Sequence, residues 1–344
     1  MSWPDLLGGL VRGEDQSPEA TAWAMGQILS GAATPAQLAA FVVALRAKGE
    51  TVAEISGLAD VMLQFATPIE IAGAAVDVVG SGGDRSNTVN ISTMAAIVAA
   101  GAGAKVVKHG NRAASSACGA ADVLEALGVV LDLDPQAQRG VVDQVGIGFL
   151  FAPYYHPALR HAAGPRRELG IPTTFNFLGP LANPAQPIAQ AVGVADPRMA
   201  GLMAGVFAAR GNQGLVMHGG DGLDELTTTT SSTIWVYGDG LVTRSEFDPA
   251  DLGIRRADLA ELVGGDATHN AGAVRAVLDG QLGPVRDVVA LNAAAALVAQ
   301  AKPVPANLVE QFRAQLGRAE EAIDSGAART KLADWVAATQ AARD

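Results

Sequence analysis

Cysteine is nearly absent. Cys118 is the only one in 344 residues, so no intrachain disulfide can form and a metal centre built on several thiolates is excluded. Charge is sparse at 17%, and its cationic part is the smaller: 24 Lys and Arg face 35 Asp and Glu, a formal net charge of −11. A surface of that sign repels a phosphate backbone, which excludes nucleic acid as a partner but leaves room for a local patch that holds a small anion. Long apolar runs are missing too. The longest weakly polar stretch, residues 94–104, is well short of the roughly 18–20 residues that cross a bilayer. The opening M-S-W-P-D-L-L-G-G-L has no basic lead and no apolar h-region, so no signal peptide is expected, and the chain reads as soluble, cytoplasmic and without a membrane partner. Aromatics reach only 5%, yet hydrophobic residues at 49% supply a core, a balance that suits tight helix–sheet packing.

Several catalytic signatures are lacking as well. There is no G-x-x-x-x-G-K-[ST] phosphate loop and no G-x-S-x-G nucleophile elbow. Gly101-Ala102-Gly103 follows a helix and lacks the third glycine of a dinucleotide fingerprint. His156 and His161 have no cysteine or second pair at zinc spacing and read as capping or packing residues. His109 and His156 are placed so that they could border a pocket.

What the chain does have is a change of pattern near residue 75. Residues 1–66 carry only helical periodicity, over 18–29, 35–47 and 52–65, with Ser17 and Thr34 as N-caps before prolines. Ala36, Leu38, Ala39, Val42, Val43 and Leu45 are expected to form a buried stripe. Beyond 75, short apolar runs at 76–79, 105–107, 148–151, 188–194 and 214–218 alternate with helices, the pattern of βα units and a mostly parallel sheet. Residues 153–170 read as helix and the following T-T-F-N-F-L-G-P-L-A-N-P as a loop or a crossing between domains. Residues 227–247 read as a hairpin turning at 238–240, and 285–301 and 306–325 as helices ahead of a polar tail. The fold class expected is α/β, with an all-helical N-terminal part.

Three segments carry chemistry. In V-D-V-V-G-S-G-G-D-R-S-N-T-V-N, residues 76–90, a β-branched run ends in glycines and leads into a helix. Glycines free the backbone to turn its N–H groups inward, and a helix start adds unpaired N–H groups and a positive dipole end, together a cradle for phosphate. K-V-V-K-H-G-N-R-A-A-S-S, residues 105–116, concentrates cations and hydrogen-bond donors after a second strand, at the sheet edge where ligands of open parallel sheets bind. G-G-D-G-L-D-E-L, residues 219–226, sets Asp224 and Glu225 in a glycine-rich loop, hard oxygen ligands suited to Mg²⁺ beside phosphate. Taken singly, an ordinary turn, a solvated loop and an acidic turn remain open for these three.

In order along the chain, G-S-G-G-D (80–84), N-I-S-T (90–93), K-H-G-N-R-x-x-S-S (108–116), A-D-V-L-E-A-L-G-V (121–129), R-E-L-G-I-P-T-T-F-N-F-L-G-P-L-A-N-P (167–184) and D-G-L-D-E (221–225) closely resemble the anthranilate phosphoribosyltransferase family over nearly the whole chain. The resemblance implies a small helical domain, residues 1–68 with about 162–184, on a large α/β domain, residues 69–161 with about 185–344. It implies a homodimer joined through the helical part. It implies a pentosyltransferase of tryptophan biosynthesis that moves a phosphoribosyl group from 5-phosphoribosyl 1-diphosphate (PRPP) to the amine of anthranilate, with Mg²⁺ as cofactor.

Matched position by position, the resemblance puts Gly80, Gly83, Asp84, Thr88, Asn90, Ile91, Ser92 and Thr93 at the PRPP site. Lys108, His109, Gly110, Asn111, Arg112, Ala113, Ala114, Ser115 and Ser116 join them. It puts Gly80, Asn111 and Arg166 at the anthranilate site and Ser92, Asp224 and Glu225 at Mg²⁺. No general base is assigned, because an aniline-type amine is already neutral at pH 7. Two positions depart from the family: Ser81 stands where threonine is usual, and Ala120 where a serine commonly contacts PRPP. The alternatives are a pyrimidine nucleoside phosphorylase of the same fold, which needs no Mg²⁺, and a non-catalytic relative that binds nucleic acid, which the acidic charge disfavours.

Overall fold

The computed structural model describes residues 1–113 and 117–343. Four helices open the chain: α1 (Trp3–Val11), α2 (Pro18–Leu29), α3 (Pro35–Lys48) and α4 (Val52–Gln64). The expected caps are in place. Ser17 accepts from the Ala20 N–H, and Thr34 and Gln37 form a reciprocal capping box that satisfies N–H groups the first turn would leave orphaned. The buried stripe of α3 is Leu38, Phe41, Val42 and Leu45. Ala36 and Val43, expected inside, are exposed, and Ala39 is half-buried. At 100° per residue, positions 36, 40, 43 and 47 fall on the side opposite the core, so these residues form a second apolar stripe facing outward.

A seven-stranded sheet follows: β1 (Val76–Gly80), β2 (Val106–Gly110), β3 (Ile147–Phe151), β4 (Ala189–Gly193), β5 (Gln213–Gly219), β6 (Ser232–Gly238) and β7 (Leu241–Phe247). Their order is β3-β2-β1-β4-β5-β6-β7, parallel from β3 to β5 and antiparallel thereafter. The mostly parallel sheet is the one expected, and the hairpin turns between residues 238 and 241; its first five expected residues, 227–231, form a loop instead. The ladders are uneven. β1–β4, β2–β3 and β4–β5 each run from first residue of the strand to the glycine or hydrophobic residue opposite its end, whereas β1–β2 is paired only at Val76 opposite Val106.

The remaining helices are α5 (Ile91–Gly101), α6 (Ala120–Leu127), α7 (Pro135–Val145), α8 (Ala152–Tyr155), α9 (Arg160–Leu169), α10 (Pro197–Ala209), α11 (Ala267–Leu278), α12 (Pro284–Gln300), α13 (Leu308–Asp324) and α14 (Ala327–Ala341). The expected polar tail is α14. Ala328, Leu332 and Trp335 are buried, at i, i+4 and i+7, a helical face that alternating polar residues obscure in the sequence. One face of the sheet packs on α5 and α12, whose alanines let helices approach closely; the other packs on α2, α3, α4, α10 and the crossing that holds Phe175, Leu178 and Leu181. Among the described residues no helix is long and apolar enough to cross a membrane.

Candidate active site

The C-terminal ends of the parallel strands open onto a cavity of about 330 Å³ lined from three loops and one helix start. From the first loop come Gly80, Gly83, Asp84, Thr88 and Asn90, and from the start of α5 Ile91, Ser92 and Thr93. The second supplies Lys108, His109, Gly110, Asn111, Arg112 and Ala113, and the third Asp224 and Glu225. Residues separated by over a hundred positions thus meet at one rim. Ala114, Ser115 and Ser116 lie outside the described residues.

The glycine loop is shaped by close approach. A Cβ on Gly80 would stand 2.3 Å from Asp224 Oδ2, so only glycine lets the first loop touch the third. Gly82 and Gly83 adopt φ of 72° and 90°, the left-handed region open to glycine at little cost, and the Gly82 N–H donates to Asp224 Oδ2 at 2.6 Å. The start of α5 is left without a side-chain cap. Asn90, at the cap position, instead donates to the Cys118 carbonyl and accepts from Asn270 at 2.8 Å. Of the first-turn N–H groups of α5, Ile91 donates to the Val89 carbonyl at 2.7 Å and Ser92 bears on the Glu225 carboxylate. An anion here therefore meets chiefly the positive end of the helix dipole, and the buried Thr93 hydroxyl has no partner among the described residues.

The acids are crowded. Asp224 and Glu225 are both buried. Burial first, then the Glu225 and Asp84 carboxylates, hold Asp224 well above the carboxylate range, and burial pushes Glu225 up to about 7 against the pull of Lys108. Ser92 bears on the Glu225 carboxylate and accepts from Lys108 Nζ at 3.1 Å. Among the described residues no group of three or more His, Cys, Asp or Glu side chains is gathered to hold a metal. Two carboxylates and a hydroxyl fit Mg²⁺ only when phosphate and water complete its shell, which is its ordinary preference.

The strand expected over 105–107 runs on to Gly110, so two of the residues expected after it lie within it. Lys108 and His109 are inside β2, and Lys108 is buried. Its ammonium donates to the Val78 carbonyl as well as to Ser92; burial lowers its pKa while Asp77, Glu225 and Asp224 oppose the fall. Arg112 lies over the Phe151 ring and is paired with Asp122 at 3.0 Å and with Glu125. Its charge is already neutralised, so a phosphate has to compete for it. Asn111 is exposed on the rim and accepts from the Arg112 N–H at 2.7 Å.

His109 lines the cavity as expected, whereas His156 does not, although its ring centroid is 5.1 Å from that of His109. The Nδ1 of His109 is bonded to the Gly179 carbonyl, its Nε2 has no partner among the described residues, and burial pushes it down to about 3. His156 is a packing residue held on the Ala182 carbonyl. Arg166 is not part of the cavity lining. It is half-buried on α9 with its guanidinium 5.3 Å above the ring of Phe175, the residue that precedes the cavity-lining Asn176 in the chain. No acid pairs with it among the described residues, and burial lowers its pKa. Arg167 is exposed, as expected for the next residue around a helix.

Sequence reasoning passed over the residues that hold the acidic loop. Asp221 accepts from the hydroxyls of Thr227 at 2.7 Å and Thr229 at 2.6 Å. Asn292 of α12 accepts from the Leu226 N–H at 3.0 Å and donates to the Leu226 carbonyl at 2.8 Å. The available signal was a lone Asn inside A-L-N-A-A-A-A, since a polar residue in a buried apolar run needs a specific partner.

Two family models match the chain: the helical bundle domain of the glycosyl transferase family over residues 4–66 and the a/b domain of the same family over residues 72–329. Anthranilate phosphoribosyltransferase of Thermobifida fusca is 59% identical over 99% of this chain and 97% of its own length. That of Nocardioides sp. is 60% identical over 98% of this chain and 99% of its own. The crystal structure of anthranilate phosphoribosyltransferase from Thermus thermophilus superposes with a TM-score of 0.91 at 38% identity, covering 98% of this chain and 99% of that one. The Saccharomyces cerevisiae enzyme in complex with PRPP and Mg does so at 0.82 and 26%, over 99% of this chain and 94% of that one. Matched over nearly its full length in sequence and in fold, the chain belongs to the anthranilate phosphoribosyltransferase family.

Proposed function

We propose that this protein transfers the 5-phosphoribosyl group of PRPP to the amine of anthranilate, giving N-(5-phosphoribosyl)anthranilate and diphosphate, as a cytoplasmic homodimer. The observation that carries this reading is the convergence of the glycine loop, the uncapped start of α5 and the buried Asp224–Glu225 pair on one cavity. N–H groups of the first loop and the positive end of α5 receive the donor's phosphates. Asp224, Glu225 and Ser92 would hold Mg²⁺, which when bound neutralises the diphosphate and makes it a better leaving group. As the C1–oxygen bond lengthens, the ribose carbon takes on oxocarbenium character, and the electron pair of the breaking bond leaves with the diphosphate. The amine lone pair then forms the new C1–nitrogen bond, and the nitrogen passes its extra proton to the departing diphosphate or to solvent.

The acceptor's place is on the side of Arg166. A half-buried guanidinium without an acid partner suits the anthranilate carboxylate, and fixing that group aims the amine at C1. His109, neutral and part of the cavity lining, fits an aromatic amine better than a cation would. The division proposed is a helical unit of residues 1–68 with about 162–184 on an α/β unit of the rest. Its support is that Ala162, Phe175, Leu178 and Leu181 pack in one cluster with residues of α1–α4. The direct test is anthranilate fluorescence: mixing with PRPP and Mg²⁺ should quench it, and omission of either should not. Phosphate-dependent cleavage of uridine or thymidine without Mg²⁺ would overturn the assignment.

A further inference from the structure

The β1–β2 seam is open where the neighbouring seams are closed. The Val76 N–H donates to the Lys105 carbonyl at 2.9 Å, and pairing ends at Val76 opposite Val106. Had a parallel ladder of this phase continued, the Val78 N–H would meet the Val107 carbonyl and the His109 N–H the Val78 carbonyl. All four groups lie on buried strand residues, where an unpaired one is costly.

Side chains occupy these positions instead. Asn183 Nδ2 donates to the Val107 carbonyl at 2.9 Å, and Lys108 Nζ to the Val78 carbonyl. Asp77 Oδ1 accepts from the His109 N–H at 3.2 Å, and the Val78 N–H also bears on its carboxylate. Asp77 Oδ2 accepts from Asn183 Nδ2 at 2.8 Å, so one buried carboxylate–amide pair covers one face of the seam and Lys108 the other. Desolvation raises the Asp77 carboxyl to about 6, with Asn183 the largest opposing influence. A buried acid of this kind is hard to explain by stability, because apolar residues would close the ladder without it.

We infer that Asp77 and Asn183 are positioning residues that hold β1 and β2 apart, setting the width at which the loops after Gly80 and Gly110 receive the phosphoribosyl donor. The inference rests on the cavity's assignment to PRPP. Neither side chain lines the cavity; they act through Gly80, Lys108 and His109, which do. The pair also pins the crossing, since Asn183 belongs to the segment whose Gly179 and Ala182 carbonyls hold His109 and His156.

The test is an exchange. In Asp77→Asn the two amides face each other donor to donor, and the seam is free to close; the donor KM should rise about tenfold, with the anthranilate KM changed much less. Asn183→Asp should do the same by opposing two acceptors. Combining both substitutions restores the donor–acceptor contact between positions 77 and 183 but leaves the Val107 carbonyl without its donor, so the PRPP KM should recover in part, to clearly below that of either single variant. A merely structural role would lower the melting temperature and the active fraction while leaving the donor KM alone, and that result overturns the inference. So does an exchanged pair with no rescue. Crystals of the unaltered chain with and without PRPP need no variant: an open seam in both is expected, and a closed one in either contradicts it. Absence of PRPP binding by the unaltered chain would instead sink the proposed function.

Discussion

Arg166 carries a charge that burial disfavours and that no acid relieves among the described residues, which is why it reads as waiting for an anion. Arg166→Ala should raise the anthranilate KM roughly 10–100-fold and leave the PRPP KM within about twofold. Steady-state kinetics with each substrate varied checks this, and an unchanged anthranilate KM removes the residue from the role. The acid pair makes a second case. Asp224 and Glu225 hold protons more tightly folded than unfolded, so they favour the folded state at low pH and oppose it once they ionise, in a window that for Glu225 runs from its unfolded range up to about 7. Without divalent cation, Asp224→Asn with Glu225→Gln should therefore melt roughly 2–4 °C above the unaltered chain at pH 8, the gap closing by pH 5. The same variant should lose Mg²⁺-dependent turnover. A gap that does not change with pH, or turnover that survives, contradicts this account. At this scale the sequence was readable for residues in dense motifs: the glycines, the N-I-S-T helix start and the D-E pair all line the cavity. It could not show how Lys108 and Arg112 are held, because composition shows that charges are present but not which carboxylates or carbonyls already engage them.

Element boundaries were the easier reading. The helix expected over 18–29 is α2 to the residue, because a Ser cap and a following proline fix its start, and the five short runs beyond 75 are the five parallel strands. What the pattern hid was α14, and the outward stripe of α3, since alanine serves equally on a core face and on a surface. α12 shows how an element reaches the site without touching substrate. It is buried from Val288 to Ala299, and its one polar side chain in that stretch, Asn292, grips both backbone groups of Leu226, beside Glu225. Asn292→Leu strands two buried backbone groups and should cost about 2–4 kcal/mol in denaturant unfolding, with the Mg²⁺ requirement for activity raised as the acid loop loosens. Stability within 0.5 kcal/mol, roughly the span of an ordinary surface change, would show the clamp to be dispensable.

For the whole molecule, the outward stripe of Ala36, Ala40, Val43 and Ala47 on α3 is the surface that suits the proposed homodimer. An apolar stripe left on the outside of one copy is the kind of face that a second copy can cover. Ala40→Glu with Val43→Arg should shift the protein from dimer to monomer in sedimentation velocity; a dimer that withstands both places the interface elsewhere. The two halves of the sequence were legible as helical and α/β from pattern alone, whereas grouping 162–184 with the N-terminal helices came from the family resemblance, because Phe175, Leu178 and Leu181 join residues of α1–α4 across more than a hundred positions. The measurement that bears most directly on the account is a crystal structure of this protein with PRPP and Mg²⁺. The account predicts phosphate oxygens on the N–H groups of the glycine loop and the start of α5, the cation between them and Asp224–Glu225, and C1 turned toward the Arg166 side. Donor density in any other cavity, or a cation away from both acids, would contradict it.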